Sequence, residues 1–427
     1  MKMLGTVLLV LCLTYGICTA EKQTGHVEYT ILFDAGSSGT RMEITNFLSS
    51  GPSLKPSDVV QLDADPHKVK PGLDDLHDDP SKVEAYLMPL LEAAKKTIPK
   101  DKHSSTPIFL LATAGMRLLP DDQAEALLNE VRKLFNDKAK CPFLFQKDSD
   151  ARIIKGWVEG IYCWVTINFL EGVFGGEKKS FGALDLGGAS HQNSWEFNNK
   201  TSSDVFTIEV AGNKYNIFSR SYLGYGQDQA RETYLDFIAK GSNCSDDPTC
   251  VVKSPCHNKG FNDTLEFHGQ KRIFEGTDQF DICDEIVHDL FFCHDSENLD
   301  KCPFSDQPKL EGKFYGISAI YYVLTDIGAV CSDCKINVAT PRKVLTYAKS
   351  FCGKDYEDVK EDPYAKDNCF GSVYIYQLLT SGYKLSPSKI IKVATTLNGF
   401  DLVRLKFSSI GFDLLCREVE KWLLPTR

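Results

Sequence analysis

The stretch "YTILFDAGSSGTR", residues 29–41, decides how this chain is read. Five strand-formers, Tyr29 to Phe33, end on a carboxylate, Asp34, and small residues lead on to Thr40 and Arg41. A hairpin turn of Gly, Ala and Ser exposes consecutive backbone N–H groups with no side chain in the way. Such a concavity suits phosphate, and the Ser and Thr hydroxyls add donors. A carboxylate repels phosphate. Asp34 makes sense there when a divalent cation stands between the two charges.

The pattern occurs twice. "GALDLGGAS", within the strand–turn–strand run 180–197, repeats the order of apolar strand, Asp, small residues and Ser. Asp34 and Asp185 lie 151 residues apart (185 − 34), too far for a solenoid period and suited to two duplicated lobes with a hairpin loop at each tip. One such loop is most often a tight turn with an Asp cap. Two of matching grammar point to a paired phosphate site, with Asp34 and Asp185 holding hydrated Mg²⁺ or Ca²⁺ between them. A Walker loop is excluded: in "GVFGGEKKSFG" the position before Lys179–Ser180 that needs Gly holds Lys178.

The 427 residues suffice for a large core and two lobes, and 42% hydrophobic with 25% charged residues is ordinary globular composition. Residues 1–20 have a Lys, a short apolar core and small residues at Thr19 and Ala20, the pattern of a cleaved secretory signal. The expected product is in the secretory-pathway lumen or secreted, with no stable membrane anchor. Two of the 15 cysteines, Cys12 and Cys18, lie in that leader; most of the thirteen others sit in the second half and read as a disulfide set. Cys331-x-x-Cys334 has redox or zinc spacing, but no second CxxC and no His pair accompanies it. Sequons at Asn199, Asn243 and Asn262 suit a glycosylated surface. The net charge of −10 argues against a nucleic-acid groove.

Along the chain, 27–33 and 41–47 read as strands and 106–117 as a strand entering a small-residue turn. Helices are expected over 121–135, 148–170, 313–328 and 371–383, and an amphipathic end over 408–424. Residues 240–310 read as more loop than core.

Together, "DAGSSGTR", "ATAGMR", "GWVEGIYCWVTINFL", "ALDLGGASHQ" and, more weakly, "KFYGISAIYYVLTD" resemble the apyrase or CD39-type nucleoside triphosphate diphosphohydrolases of the actin/Hsp70/sugar-kinase superfamily. The resemblance implies an α/β, two-lobed actin/Hsp70-like (ribonuclease H-like) fold with a central cleft. It places 21–160 plus about 405–427 in the N-terminal lobe and 161–404 in a disulfide-rich C-terminal lobe. It implies a Ca²⁺- or Mg²⁺-dependent hydrolase of nucleoside di- and triphosphates with no covalent intermediate and Glu159 as general base. Glu159 stands in an apolar helix, where partial desolvation raises a carboxyl's pKa towards a useful value. Ser190 and Gln192 match residues that orient the attacking water, and Thr113 a metal-side Thr. Arg117 is equally an ion-pair partner or a phosphate contact. Ser37, Ser38, Gly39, Thr40 and Arg41, with Gly187, Gly188, Ala189, Ser190, His191 and Gln192, form the phosphate cradles, and Tyr321 and Tyr322 are candidates to stack on the base. The family's disulfides imply Cys256–Cys283 and Cys352–Cys369.

Some positions depart from the pattern. Cell-surface triphosphatases of the family commonly carry His where this chain has Gly39; the Gly-Thr-Arg version resembles the secreted or Golgi diphosphatase branch, although plant-type apyrases also lack that His. His191 replaces a usual Thr and reads as solvent-facing. The C-terminal Trp segment is poorly matched. Two other classes stay open, a related small-molecule kinase and an inactive extracellular nucleotide-binding protein. The secretory leader counts against the first and the intact Asp34, Glu159, Asp185, Ser190 and Gln192 against the second.

Overall fold

The computed structural model describes residues 29–402, apart from 48–54, 175, 198–201, 243–248, 268, 293–302, 333 and 335–336. The leader, the 405–427 return to the N-terminal lobe, the amphipathic end, Asn199 and Asn243 therefore lie outside the described residues.

Two sheets dominate. The first has strands β1 (Tyr29–Gly36), β2 (Gly39–Phe47), β3 (Val59–Leu62), β4 (Lys68–Val69), β5 (Ile108–Ala112) and β6 (Ala151–Ile153). Their order is β3-β2-β1-β5-β6, with β4 also beside β2. The second has β7 (Phe181–Leu186), β8 (Ser190–Glu196), β9 (Val205–Val210) and β10 (Asn213–Leu223). A small third sheet uses β11 (Val251–Ser254), β12 (Asn262–Phe267) and β13 (Gln270–Gly276). β14 (Lys313–Ser318), β15 (Asn337–Ala339) and β16 (Ile391–Val393) complete the second, whose order is β15-β16-β14-β7-β8-β10-β9.

The duplication read from the two Asp motifs extends to topology. In each half an antiparallel hairpin, β1–β2 or β7–β8, is followed by a parallel partner of its first strand, β5 or β14. Each hairpin turns over two residues: Gly36 pairs with Gly39, and the Gly187 N–H donates to the Ser190 carbonyl at 2.9 Å. This is the duplicated α/β arrangement of the actin/Hsp70 type.

Helices pack in layers that follow strand alternation. α1 (Val83–Thr97), α2 (Ala114–Leu118) and α3 (Asp121–Asn136) come from the first half. Ile31, Phe33 and Ala35 share a core with α1 and α3, whereas Leu32 faces the other way, into a core shared with α4 (Gly156–Leu170). In β7, Ala183 joins that α4 core, while Leu184 and Leu186 join the outer one. The outer core is covered by α5 (Gln227–Gly241), α6 (Phe280–Phe292), α7 (Ala319–Asp326), α8 (Pro341–Cys352) and α9 (Ala365–Gln377). Because side chains alternate with period two, Asp34 and Asp185 both stand on the faces turned towards α4. α4 is apolar all round, as a helix between layers must be. Gly156 and Gly160, one turn apart, let β10 approach: a Cβ would lie 2.3 Å from Ser221 Oγ in one case and 2.4 Å from Ser219 Oγ in the other.

Three expectations need correction. The 148–170 helix starts only at Gly156, because 151–153 pair as a strand with β5. The 313–328 helix starts at Ala319, because 313–318 is buried β14; a short apolar run with strands on both sides has no period to tell the two apart. Residues 240–310 hold a three-stranded sheet and α6, tied by a Cys256–Cys283 disulfide. Cys352–Cys369 is also bonded, as is Cys331–Cys334, which removes the zinc reading of that CxxC.

Candidate active site

A cavity of about 540 Å³ opens where the two hairpin tips approach one another. Its wall includes Asp34, Ser37, Ser38 and Arg41 from the first hairpin and Gly187, Gly188, Ala189 and Ser190 from the second. Thr113, from the junction of β5 and α2, and Glu159, from the first turn of α4, join them in the wall.

Glu159 is 4% exposed and lies in a hydrogen-bonded chain. Arg117, on α2, donates from Nη2 to Glu159 Oε2 at 2.9 Å and to Ser190 Oγ at 3.1 Å, and from Nη1 to the Ile154 carbonyl at 3.0 Å. Gln192 Nε2 donates to Ser190 Oγ at 2.6 Å and to Ser221 Oγ at 3.0 Å. Arg117 is thus the partly buried ion-pair partner of Glu159 rather than a free phosphate donor. The chain runs from the first half through Arg117 and Glu159 to Ser190 of the second, so it holds its geometry only while both halves are in place.

Other expected site residues are placed behind the wall. Gln192 is 1% exposed and positions Ser190 from beneath. Asp185 is 1% exposed, below the second hairpin and opposite Gln192. Thr40 is fully buried; its N–H donates to Tyr86 Oη at 3.1 Å, and that hydroxyl lies 3.0 Å from Thr40 Oγ1. Gly39 has φ +134°, and a Cβ there would lie 2.4 Å from the Val69 carbonyl of β4, so that strand requires a glycine. Tyr322 lines the cavity, whereas Tyr321 donates its hydroxyl to the Ser332 carbonyl at 3.3 Å and is absent from the wall.

The solvent-facing reading of His191 is wrong. Ser190 and Gln192 face α4, so alternation turns His191 to the outer face. There it is fully buried, stacked on Tyr222 and Phe304, with Nδ1 3.0 Å from Tyr383 Oη. Burial pushes its pKa down to about 3, so it stays neutral.

The structure adds wall residues that motif reading did not single out. Lys68 and Lys70 flank the first hairpin, and Asp228 opens α5 beside Gly188. Burial, then the charges of Arg41 and Lys70, lower Lys68 to about 8. Burial raises the Asp228 pKa, against the pull of Arg231. The wall also includes Tyr322 and Tyr364, 49% and 56% exposed, with Asp326, Asp367 and Asn368. Two lysines at alternate positions of "HKVKPG" in an acidic chain were a usable signal; Asp228 had none.

The GDA1/CD39 (nucleoside phosphatase) family model matches residues 20–403. The chain is similar to ectonucleoside triphosphate diphosphohydrolase 1 of Mus musculus, 31% identical over 85% of this chain and 76% of that protein. It is also similar to a nucleoside-triphosphatase of Pisum sativum (28% identical, 86% and 83% covered) and a nucleoside-diphosphatase of Caenorhabditis elegans (26%, 84% and 72%). Its fold is shared with a solved nucleoside triphosphate hydrolase from Neospora caninum, with TM-score 0.63 and 15% identity over 92% of this chain and 93% of that one.

Proposed function

Because the chain belongs to the GDA1/CD39 (nucleoside phosphatase) family, we propose that it releases the terminal phosphate of nucleoside di- and triphosphates by water attack, with diphosphates favoured. The observation that carries the reading is the Glu159–Arg117–Ser190 chain at the point where the two hairpin tips share one cavity. Glu159 accepts the proton of the attacking water, and Ser190, held by Arg117 and Gln192, orients that water. The hairpin tips and Lys68 hold the phosphates. Catalysis is then positioning and charge neutralisation, as phosphoryl transfer requires. Tyr322 and Tyr364 stack on the nucleobase at the far end.

Asp34 and Asp185, with the hydroxyls of Ser37, Thr113 and Ser190, form an all-oxygen donor set that fits Ca²⁺ or Mg²⁺. Among the described residues no group of three or more His, Cys, Asp or Glu side chains is arranged to hold a metal ion, so this reading holds the ion through its water shell and the substrate's own oxygens. When bound, the cation neutralises charge on the phosphoryl oxygens.

The glycine required at position 39, where the resemblance expects His in triphosphatases, supports diphosphate preference. The leader and disulfides support a secreted or lumenal protein. No helix among the described residues is long and apolar enough to cross a membrane.

The test is a phosphate-release panel of nucleoside tri-, di- and monophosphates with Ca²⁺, Mg²⁺ or EDTA, run on wild type and Glu159→Gln. A general base contributes about 10²–10⁴-fold, so turnover should fall by roughly that factor with nucleotide binding retained. Retention of more than about a tenth of turnover removes Glu159 from the mechanism, and full activity in EDTA removes the cation.

A further inference from the structure

β14 runs parallel to β7, with Ile317 paired to Asp185 and Ser318 to Leu186. Ser318 therefore stands beside the root of the second hairpin. Its backbone has φ 59° and ψ −127°, a region that glycine enters readily and residues with a Cβ avoid. It heads α7 without capping it: no side-chain cap hydrogen bond runs from its hydroxyl to the first turn, although a serine at that position ordinarily makes one. Ser318 is 7% exposed and lines the cavity, and its Oγ has no hydrogen-bond partner among the described residues. A buried hydroxyl without a partner is destabilising, and so is the backbone conformation. Both costs sit in the wall of the substrate cavity.

The same wall continues along α7. Ser318 with Ala319, Tyr322 with Val323, and Asp326 line the cavity in turn, at the four-residue spacing of one helix face. From Ser318 to Tyr322 the helix rises about 6 Å, comparable to the reach of a ribose between its phosphate and its base. The first half has a hydroxyl in the matching place: Thr113 links parallel strand β5 to α2, does not cap that helix, and also lines the cavity.

We propose that Ser318 binds the phosphate that joins the nucleoside, together with the first-turn N–H groups of α7, which have no partner within the helix. α7 then holds the nucleoside monophosphate portion, with the helix N-terminus on the anion and Tyr322 on the base, while the hairpins hold the phosphate to be released. The assignment rests on the nucleotide-hydrolase reading above.

Calorimetric titration with adenosine, adenosine 5′-monophosphate, uridine and uridine 5′-monophosphate tests it on wild type, Ser318→Ala and Ser318→Gly. Wild type should bind each monophosphate more tightly than its nucleoside. Both variants should lose about tenfold in monophosphate affinity, the scale of a hydrogen bond to a charged group, with nucleoside affinity unchanged. Ser318→Gly should melt at or above the wild-type temperature, since glycine accepts the positive φ; it decides the matter if Ser318→Ala does not fold. Wild-type monophosphate affinity in the variants, or an equal loss for nucleosides, overturns the assignment. A wild-type enzyme that hydrolyses diphosphates but binds monophosphates no better than nucleosides overturns Ser318 and leaves the hydrolase reading intact. Absence of phosphate release from every nucleotide overturns that reading and, with it, the assignment.

Discussion

Asp74→Asn should stabilise the protein at neutral pH and leave it almost unchanged near pH 4. The Asp74 carboxylate is wedged under the first hairpin: a Cβ on Gly115 would lie 2.2 Å from its Oδ1, and one on Gly72 would lie 2.6 Å away. Gly72 in turn abuts the Ser37 carbonyl. Asp74 Oδ1 has no hydrogen-bond partner among the described residues. Burial, with a smaller contribution from Asp75, raises the pKa from 3.8 to about 6 against the opposing pull of its own backbone and His77. A shift of about 2 units at 1.36 kcal/mol each is worth about 3 kcal/mol. The folded pKa lies above the unfolded one, so between about pH 4 and 6 the folded state keeps a proton that the unfolded state has lost. Stability from this group is therefore complete below the unfolded pKa and is lost as pH rises through the folded one. Asn has the same shape and cannot ionise. At pH 7.5 the variant should exceed wild type by at most about 3 kcal/mol, nearer 1–2 kcal/mol because the residue is only half-buried and solvent screens part of the charge. The gap should close to a few tenths of a kcal/mol near pH 4. Urea unfolding at pH 4, 5, 6 and 7.5 reads both terms. A variant less stable than wild type at pH 7.5, or a gap independent of pH, refutes the argument.

Two further outcomes are expected. Lys68, with its pKa lowered to about 8 mainly by burial, should lose its charge above that pH, so KM for a nucleoside diphosphate should climb on the alkaline side; an identical climb in Lys68→Met would remove Lys68 as the cause. Mass spectrometry of the mature protein should find an N-terminus near Glu21 and a glycan on Asn262, which is exposed on β12; recovery only in detergent with residues 1–20 retained would favour a membrane-held form.

What was legible came from local repetition. Asp34 and Asp185, each set before a small-residue turn after an apolar strand, sufficed for two lobes and a shared cleft, because a hairpin's chemistry is contiguous in sequence. His191 was misread although the information was present: once Gln192 is assigned to the inner face, its neighbour must face outwards, and only the covering by Tyr222, Phe304 and Tyr383 was out of view. Arg117 stayed ambiguous because its partner, Glu159, is 42 residues away and on another element. Asp228 and Tyr364 lay beyond motif reading for the same reason, and Ser318, although inside a quoted motif, gave no sign of its place in the cavity wall. Each reaches the cavity through its place on α5, before α9 or at the end of β14, and neither periodicity nor spacing reports on that tertiary placement.

The two halves share a backbone plan and differ in side chains, and that difference gives the site a direction. Asp34 stands opposite Arg41 across its hairpin, whereas Asp185 stands opposite Gln192. The first hairpin therefore carries a permanent cation beside its carboxylate, and Lys68 and Lys70 flank it on the cavity wall. The second carries a neutral amide that is committed to Ser190 and Ser221. An anion entering between them meets positive charge on one side and an oriented hydroxyl on the other. Glu159, the carboxylate on α4, is bound to Arg117 of the first half, and the same guanidinium reaches Ser190 of the second. Two identical cradles would hold a phosphate chain equally well in either sense. With unequal ones, the proposed in-line attack by water gains a defined face, because the carboxylate and the hydroxyl assigned to it are joined by one side chain, Arg117. Arg117 spans from Glu159 to Ser190, so the arrangement of that carboxylate and that hydroxyl depends on how the two halves are set against one another.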